Sequence, residues 1–293
     1  MQIACATDRR FLKHLATMIA SLMHSVPHHL TIHLIYAEDV SAKSVRLLSD
    51  WIERSGHSAK MIPFGEEDVG NLLSTARFPP IAWARILLPR LLPEVDRVLY
   101  LDADVLALDD VEPLWRIDLE GNLLAAVVDP LHYRPRSTYP DDIGVSERTY
   151  FNSGVLLMDL AGIRAQGLDS DLLEVAREGQ DWLKYPDQEV LNFVLQGKCL
   201  LTHPKWNALS ALLVHGRGVG VYDEDERQEA IQKPTLVHFE GPLHSKPWHV
   251  QCKNPFRDKY KAYRKMTPWP VFWPSGILRL GVARNMILGR RLP

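Results

Sequence analysis

The sequence predicts an α/β fold: a mainly parallel, Rossmann-like sheet covered by helices on both faces. Two observations carry that prediction. Over roughly the first hundred residues, short apolar runs of strand character alternate with longer segments whose apolar residues recur at helical spacing. The composition, 46% hydrophobic and 24% charged over 293 residues, is that of a globular chain long enough to bury a sizeable core.

The elements follow in order. IACAT (3–7) reads as a buried strand that stops at Thr7 and Asp8, and Leu12, Leu15, Ile19, Leu22 and Met23 mark the helix behind it. TIHLIYA (31–37) is a second strand, after which Ser41 offers an N-cap to a helix bearing Val45, Leu48, Trp51 and Ile52. AKMIPF (59–64) is a third strand, and a helix is expected between Trp83 and Leu92, ahead of Pro93. RVLYLDADVLAL (97–108) reads as one long fourth strand. LLAAVVD (123–129) ends at Asp129, and FNSGVLLMDL (151–160) opens with Asn152 and Gly154. Asp187 and Gln188 start a helix with Val190, Leu191, Val194 and Leu195 on its apolar side, and LVHFEG (236–241) is a last short strand. Residues 130–150, rich in Pro, Tyr, Arg, Ser and Asp, are expected to form a long loop acting as a lid.

Bulk properties exclude several functions. A formal net charge of −2 leaves no overall footprint for nucleic acid. The charge is unevenly spread: Lys253–Pro293 holds ten Lys/Arg against the single acid Asp258, so this segment is +9 against −11 in the rest. Cys5, Cys199 and Cys252 are odd in number and far apart, which argues against a disulfide framework or a cysteine zinc site and fits a reducing compartment. No leader is expected from the MQIACAT start, and no run of about 20 apolar residues offers a membrane span. A cytoplasmic location is the expectation.

Parallel sheets bind ligands beyond the carboxyl ends of their strands, which puts Asp8 and the pair Asp102/Asp104 on one edge. Two carboxylates at i and i+2 of an extended strand point the same way and can grip one divalent cation through oxygen. Such an ion also removes the cost of burying unpaired carboxylates. His238, ending a strand, could add a nitrogen ligand that favours Mn²⁺ over Mg²⁺, and Lys246 is placed to neutralise phosphate.

VLYLDADVL (98–106), YFNSGVLLMDL (150–160), YPDQEVLN (185–192) and HFEGPLHSKPWH (238–249) stand in the order and spacing of glycosyltransferase family 8. The chain most resembles the bacterial lipopolysaccharide and lipooligosaccharide galactosyl- and glucosyltransferases of that family, from residue 1 to about 265. The resemblance implies a single GT-A domain, set here at 1–252, that moves galactose or glucose from a UDP-sugar to a glycan or glycolipid acceptor. It also implies Mn²⁺, or Mg²⁺ in its place, and retention at the anomeric carbon. Carried over position by position, Asp102, Asp104 and His238 are metal ligands. Thr7 and Asp8 contact the uridine, Ala103 lines the donor site, and Arg85 lies near the donor's phosphate and sugar. Asn152, Asp187 and Gln188 surround the transferred sugar, Gly241 and Lys246 hold the diphosphate, and Asp129 lies near the acceptor.

The pattern departs from the family in three places. HSKPWH follows Gly241-Pro242 with two more residues than the common GPxKPWH form, so either Lys246 or His244 is left to meet the diphosphate. Phe78-Pro79-Pro80 replaces a stretch that is usually polar or β-branched, and Arg9-Arg10 makes the nucleotide end more basic.

Two rival readings remain at this stage. Asp102-Ala-Asp-Val105 also fits the DxDx[TV] nucleophile of haloacid-dehalogenase-type phosphatases, although that motif normally opens its domain. A catalytically inactive nucleotide-sugar-binding protein would keep the same pocket. The tail 253–293 adds Tyr260, Tyr263, Trp269, Phe272 and Trp273 to its charge, and GILRLGVARNMILG beyond Pro274 has roughly helical spacing. It reads either as a segment binding the anionic inner face of the plasma membrane or as a helix packed on the domain.

Overall fold

The computed structural model describes residues 1–70, 72, 74, 78–130, 143–146 and 148–276. Most of the expected lid and the 277–293 part of the tail lie outside the described residues. Ten strands are described: β1 (Gln2–Thr7), β2 (Thr31–Ala37), β3 (Ser58–Phe64), β4 (Arg97–Leu101), β5 (Val105–Ala107), β6 (Leu124–Val128), β7 (Phe151–Asp159), β8 (Cys199–Leu201), β9 (Ala208–Leu209) and β10 (Leu236–His238). Seven form one sheet in the order β3-β2-β1-β4-β7-β6-β8, and β5-β10-β9 form a second. In the large sheet only β7 runs against its neighbours, so the sheet is mainly parallel as expected.

Strand alternation explains why both faces are covered. Ile3 and Cys5 of β1, Leu99 and Leu101 of β4, and Val155 and Leu157 of β7 join one core, with helices Leu12–Ser25 and Ala42–Arg54. Ala4, Val98, Tyr100, Leu156 and Met158 point the other way, into a second core with helices Ala84–Leu91, Leu160–Ala165, Leu168–Glu178 and Pro186–Val194. The expected cap is present: Ser41 Oγ accepts the Ser44 amide at 3.3 Å.

The fourth strand differs from the sequence expectation. The run 97–108 is not one strand: β4 stops at Leu101, and β5 leaves to pair antiparallel with β10 in the small sheet. Asp102-Ala103-Asp104 is the turn between the two sheets, closed by the Val105 amide donating to the Asp102 carbonyl at 3.1 Å. Both halves are buried, so the apolar run is unbroken in sequence although the chain changes sheet. The two carboxylates therefore converge because a turn brings them together, not because an extended strand aligns them.

This topology positions a site. β1 and β4 are neighbours, and the chain leaves β1 for β2 on one flank and β4 for β6 and β7 on the other, a change of direction at which such folds open a crevice. Because β7 is reversed, its first residues, Asn152 and Ser153, lie at the edge where β4 ends. The 253–276 part of the tail packs on the body. Its helix Arg257–Arg264 lies against helix Leu12–Ser25 and buries Tyr260 in a third apolar cluster with Leu106, Val237 and Phe239.

Candidate active site

Two adjoining cavities open at this edge. The larger, about 720 Å³, is lined by residues from six segments, among them Arg85, Asp102, Asp104, Asp129, Asn152, Asp187, Gln188, His238, Gly241 and Lys246. The smaller, about 250 Å³, runs from Thr7, Asp8, Arg10 and Phe11 to Arg85, Asp102, Ala103 and Asp104. Every site residue expected from sequence except His244 thus lines one cavity or both. His244 lines neither; its Nε2 lies 3.1 Å from Nε2 of His215. Of the two residues left to meet the diphosphate, Lys246 lines the larger cavity, and despite the longer turn its Nζ reaches Asp104 Oδ2 at 2.6 Å.

At the junction of the cavities, Asp102, Asp104 and His238 bring their ligand atoms within 4.8 Å of one another. His238 Nε2 lies 3.3 Å from Asp104 Oδ1 and 3.8 Å from Asp102 Oδ2. Its other nitrogen, Nδ1, faces Asn207 Oδ1 at 3.1 Å, an acceptor that keeps a ring proton on Nδ1 and leaves Nε2 to face the acids. Gly154 allows this approach, since a Cβ there would stand 2.2 Å from His238 Cε1 and 2.9 Å from Asp102 Oδ2.

Charge balance differs from group to group. Burial works to raise Asp104, but Lys246 and His238 hold its carboxyl well below the usual range. Burial works to lower His238, but Asp104 and Asp102 raise it. Asp102 Oδ1 accepts from Arg85 Nη2 at 2.7 Å and from the Tyr100 hydroxyl at 2.8 Å. Burial raises Asp187 although Arg85 opposes it. Arg85 Nε lies 2.9 Å from Asp187 Oδ2, but Nε is buried and makes no aligned hydrogen bond among the described residues, so this contact is one of charge.

Beyond Arg85 the groups are mostly neutral. Gln188 Oε1 accepts from the Ser153 amide (3.0 Å), Ser153 Oγ (3.3 Å) and Asn152 Nδ2 (3.2 Å). Gln188 Nε2 donates to Asp129 Oδ2 at 3.2 Å and to the Tyr150 oxygen at 3.1 Å. Asn152 also donates to Asp129, at 3.3 Å, and accepts from Asn207 Nδ2, at 2.9 Å. Asn207 therefore links this network to His238.

Sequence reasoning missed Ser153, Tyr185, Glu240 and Asn207. Ser153 and Glu240 stand beside motif residues and had a positional signal. Asn207 had none, because it lies on the short helical turn Pro204–Asn207, which has no periodic pattern.

A family model described as glycosyl transferase family 8 matches residues 2–252. The chain belongs to glycosyl transferase family 8. The family-8 chain is 26% identical to general stress protein A of Bacillus subtilis (strain 168) over 276 residues, 92% of this chain and 94% of that protein. It is 29% identical to lipopolysaccharide 1,2-glucosyltransferase of Escherichia coli (strain K12) over 177 residues, 60% of this chain and 51% of that protein. Among solved structures, galactosyltransferase LgtC in complex with donor and acceptor sugar analogs superposes with a TM-score of 0.80 at 25% identity, covering 92% of this chain and 96% of LgtC. The GT-A architecture expected from sequence is the one observed. Membership in a glycosyltransferase family leaves the phosphatase reading of Asp102 without support.

Proposed function

We propose that this family-8 glycosyltransferase moves a hexose, galactose or glucose, from a UDP-sugar to a glycan or glycolipid acceptor, with retention at the anomeric carbon and with a divalent cation. The observation that carries the reading is the convergence of Asp102, Asp104 and His238 beside Lys246, where the two cavities meet. The residues fit a cation: two carboxylates and an imidazole whose Nε2 faces them form an oxygen-rich set with one nitrogen, suited to Mn²⁺ and tolerant of Mg²⁺. Bound there, the ion would neutralise charge on the diphosphate leaving group.

The chain's own groups do the rest. Thr7, Asp8 and Ala103 line the nucleotide end and Gly241 the diphosphate turn. Lys246 supplies a fixed positive charge beside the leaving oxygen, where charge grows most as the glycosidic bond breaks. Asn152, Asp187 and Gln188 orient the transferred sugar, and Asp129 faces the acceptor side. Gln188 is a poor nucleophile, because an amide is weakly nucleophilic and its oxygen already accepts three hydrogen bonds. The acceptor hydroxyl therefore attacks from the face that UDP leaves. As the C1–O bond to the phosphate breaks, the departing phosphate oxygen takes the hydroxyl proton. Trapping of a glycosyl adduct on Asp187, Asp129 or Gln188 in mass spectra of the wild type would contradict this route.

The likeness to the E. coli lipopolysaccharide 1,2-glucosyltransferase supports a cell-surface glycan as acceptor. No helix among the described residues is long and apolar enough to cross a membrane. Association with an anionic inner membrane face is supported by the basic tail and by exposed Met266, Val271 and Trp273 within it. Sedimentation with anionic liposomes tests this, and equal binding by a truncation after Met266 contradicts it. Screening UDP-sugars for Mn²⁺-dependent hydrolysis tests the main reading. Turnover that Asp104→Ala abolishes supports an enzyme, whereas binding without turnover favours the inactive nucleotide-sugar-binding alternative.

A further inference from the structure

The turn that presents Lys246 is held from outside the 2–252 segment that the family model matches. Inside the turn the backbone bonds are short-range, Ser245 to Pro242, Lys246 to Leu243 and His249 to Lys246, and from just beyond it the Lys253 amide donates to the His244 carbonyl at 2.7 Å. Two residues longer than the common family form, it has less internal means of fixing a lysine, whose four-carbon stem is flexible. A further external hold falls on the two residues after Lys246. Arg257 Nε donates to the Pro247 carbonyl at 3.2 Å, and the Ser275 amide and hydroxyl donate to the Trp248 carbonyl at 2.7 and 3.2 Å.

The Trp248 side chain is gripped as well. His14, from the first helix, stacks on the indole with ring centroids 3.6 Å apart and planes 24° apart. Phe11 meets the same ring edge-on at 5.8 Å, and Tyr260 packs at 5.8 Å. His14 Nδ1 and the Tyr260 oxygen are 2.6 Å apart. Burial, helped by Arg264, pushes His14 down to about 3, while burial pushes Tyr260 up to about 12. The imidazole is therefore neutral and the phenol protonated, and one hydrogen bond joins Nδ1 to the phenol oxygen. Lys246 Nζ lies 5.7 Å from the Trp248 ring centroid, within cation–π range, and points on to Asp104.

We propose that His14 and Tyr260, with Arg257 and Ser275, clamp Trp248 and are thereby positioning residues that aim Lys246 at the diphosphate end of the cleft. The clamp rests on the reading of Lys246 as a diphosphate contact. It gives the residues just past the family match a role in the transfer reaction. Because Phe11 also lines the nucleotide cavity, the clamp ties that wall to the lysine.

The test is UDP binding in Mn²⁺, measured by calorimetry on the full chain, with thermal melting beside it. The variants are Lys246→Ala, His14→Ala, His14→Phe, Tyr260→Phe and the double variant His14→Ala/Lys246→Ala. His14→Ala should weaken UDP binding by about tenfold, with a fall in Tm from the lost stack and hydrogen bond, and should add no further loss of affinity once Lys246 is gone. His14→Phe, which keeps a ring on the indole, should recover much of the loss, and Tyr260→Phe should cost less than His14→Ala. If Lys246→Ala weakens binding and His14→Ala adds its full loss to it, the lysine reading stands and the clamp is overturned. If Lys246→Ala leaves the affinity unchanged, the diphosphate reading of Lys246 fails, and the clamp fails with it.

Discussion

At one end of the cleft, Asp102, Asp104, His238 and Lys246 meet at 2.6–3.8 Å as ionisable groups carried by three separate segments. At the other, Asp129, Asn152, Ser153 and Gln188 are joined at 3.0–3.3 Å by hydrogen bonds in which every donor is an amide or hydroxyl. The first end gathers groups whose mutual charges a cation and a diphosphate would complete. The second is already saturated with hydrogen bonds and can hold its shape with nothing bound. On the proposed function, the difference is a division of labour: the charged end would bind and activate the leaving group, while the amide-rich end would orient the sugar.

The largest effect is expected at the charged end. Asp104→Ala should lower Mn²⁺-dependent UDP-sugar turnover by at least ~10²-fold, read as kcat/KM. An unchanged rate would show that the acid pair is not the ion's seat. Gly154→Ala should damage both ends at once. Its Cβ would collide with His238 and Asp102, while the Gly154 amide donates to Asn152 Oδ1 at 3.0 Å. Overpacking of this kind costs about 1–3 kcal/mol, so a lower Tm and lost turnover should appear together. Normal activity would mean that the wall yields and the ends are less rigidly joined than their contacts indicate.

Gln188→Ala sharpens the contrast in the other direction. It should cut kcat by roughly 10²-fold while leaving UDP affinity in Mn²⁺ unchanged, because no sugar is present to be oriented. A matching fall in UDP affinity would erase the distinction between the ends.

The smallest effect is one of pH on stability. Glu189, fully buried beside Gln188, accepts the Lys184 amide at 2.6 Å, and burial pushes its carboxyl up to about 7. The folded chain keeps this proton where the unfolded chain has lost it. The associated stability is therefore complete below the ordinary glutamate range, near 4.5, and is lost as pH rises through 7. Glu189→Gln should flatten the fall of Tm across that window. Parallel Tm curves for variant and wild type would show that Glu189 does not titrate there.

Much of this contrast was legible in the sequence, for physical reasons. β1, β2 and β3 and the helices between them carry one period each, so their pattern reads directly. The DAD turn does not: RVLYL and VLA are buried in different sheets, and hydrophobicity records burial without recording which sheet provides it. β8 and β9, three and two residues long, are too short to show a period at all. Asp102, Asp104 and His238 could be found because chemistry-bearing residues at strand ends stand out against apolar runs. Asn207, which keeps a ring proton on His238 Nδ1, could be found only once the fold had brought it there. The hold on Trp248 was equally hidden, since His14 and Tyr260 lie 246 residues apart and each reads alone as an ordinary helix residue.

The central claim is that the turn between the two sheets, with His238, seats a cation shared with the nucleotide diphosphate. Calorimetric titration of UDP into the full chain, with Mn²⁺ or with chelator, tests it most directly. The wild type should bind UDP far more tightly with Mn²⁺ than without, and Asp104→Ala should lose that difference. Equal UDP affinity of the wild type in both conditions would contradict the account.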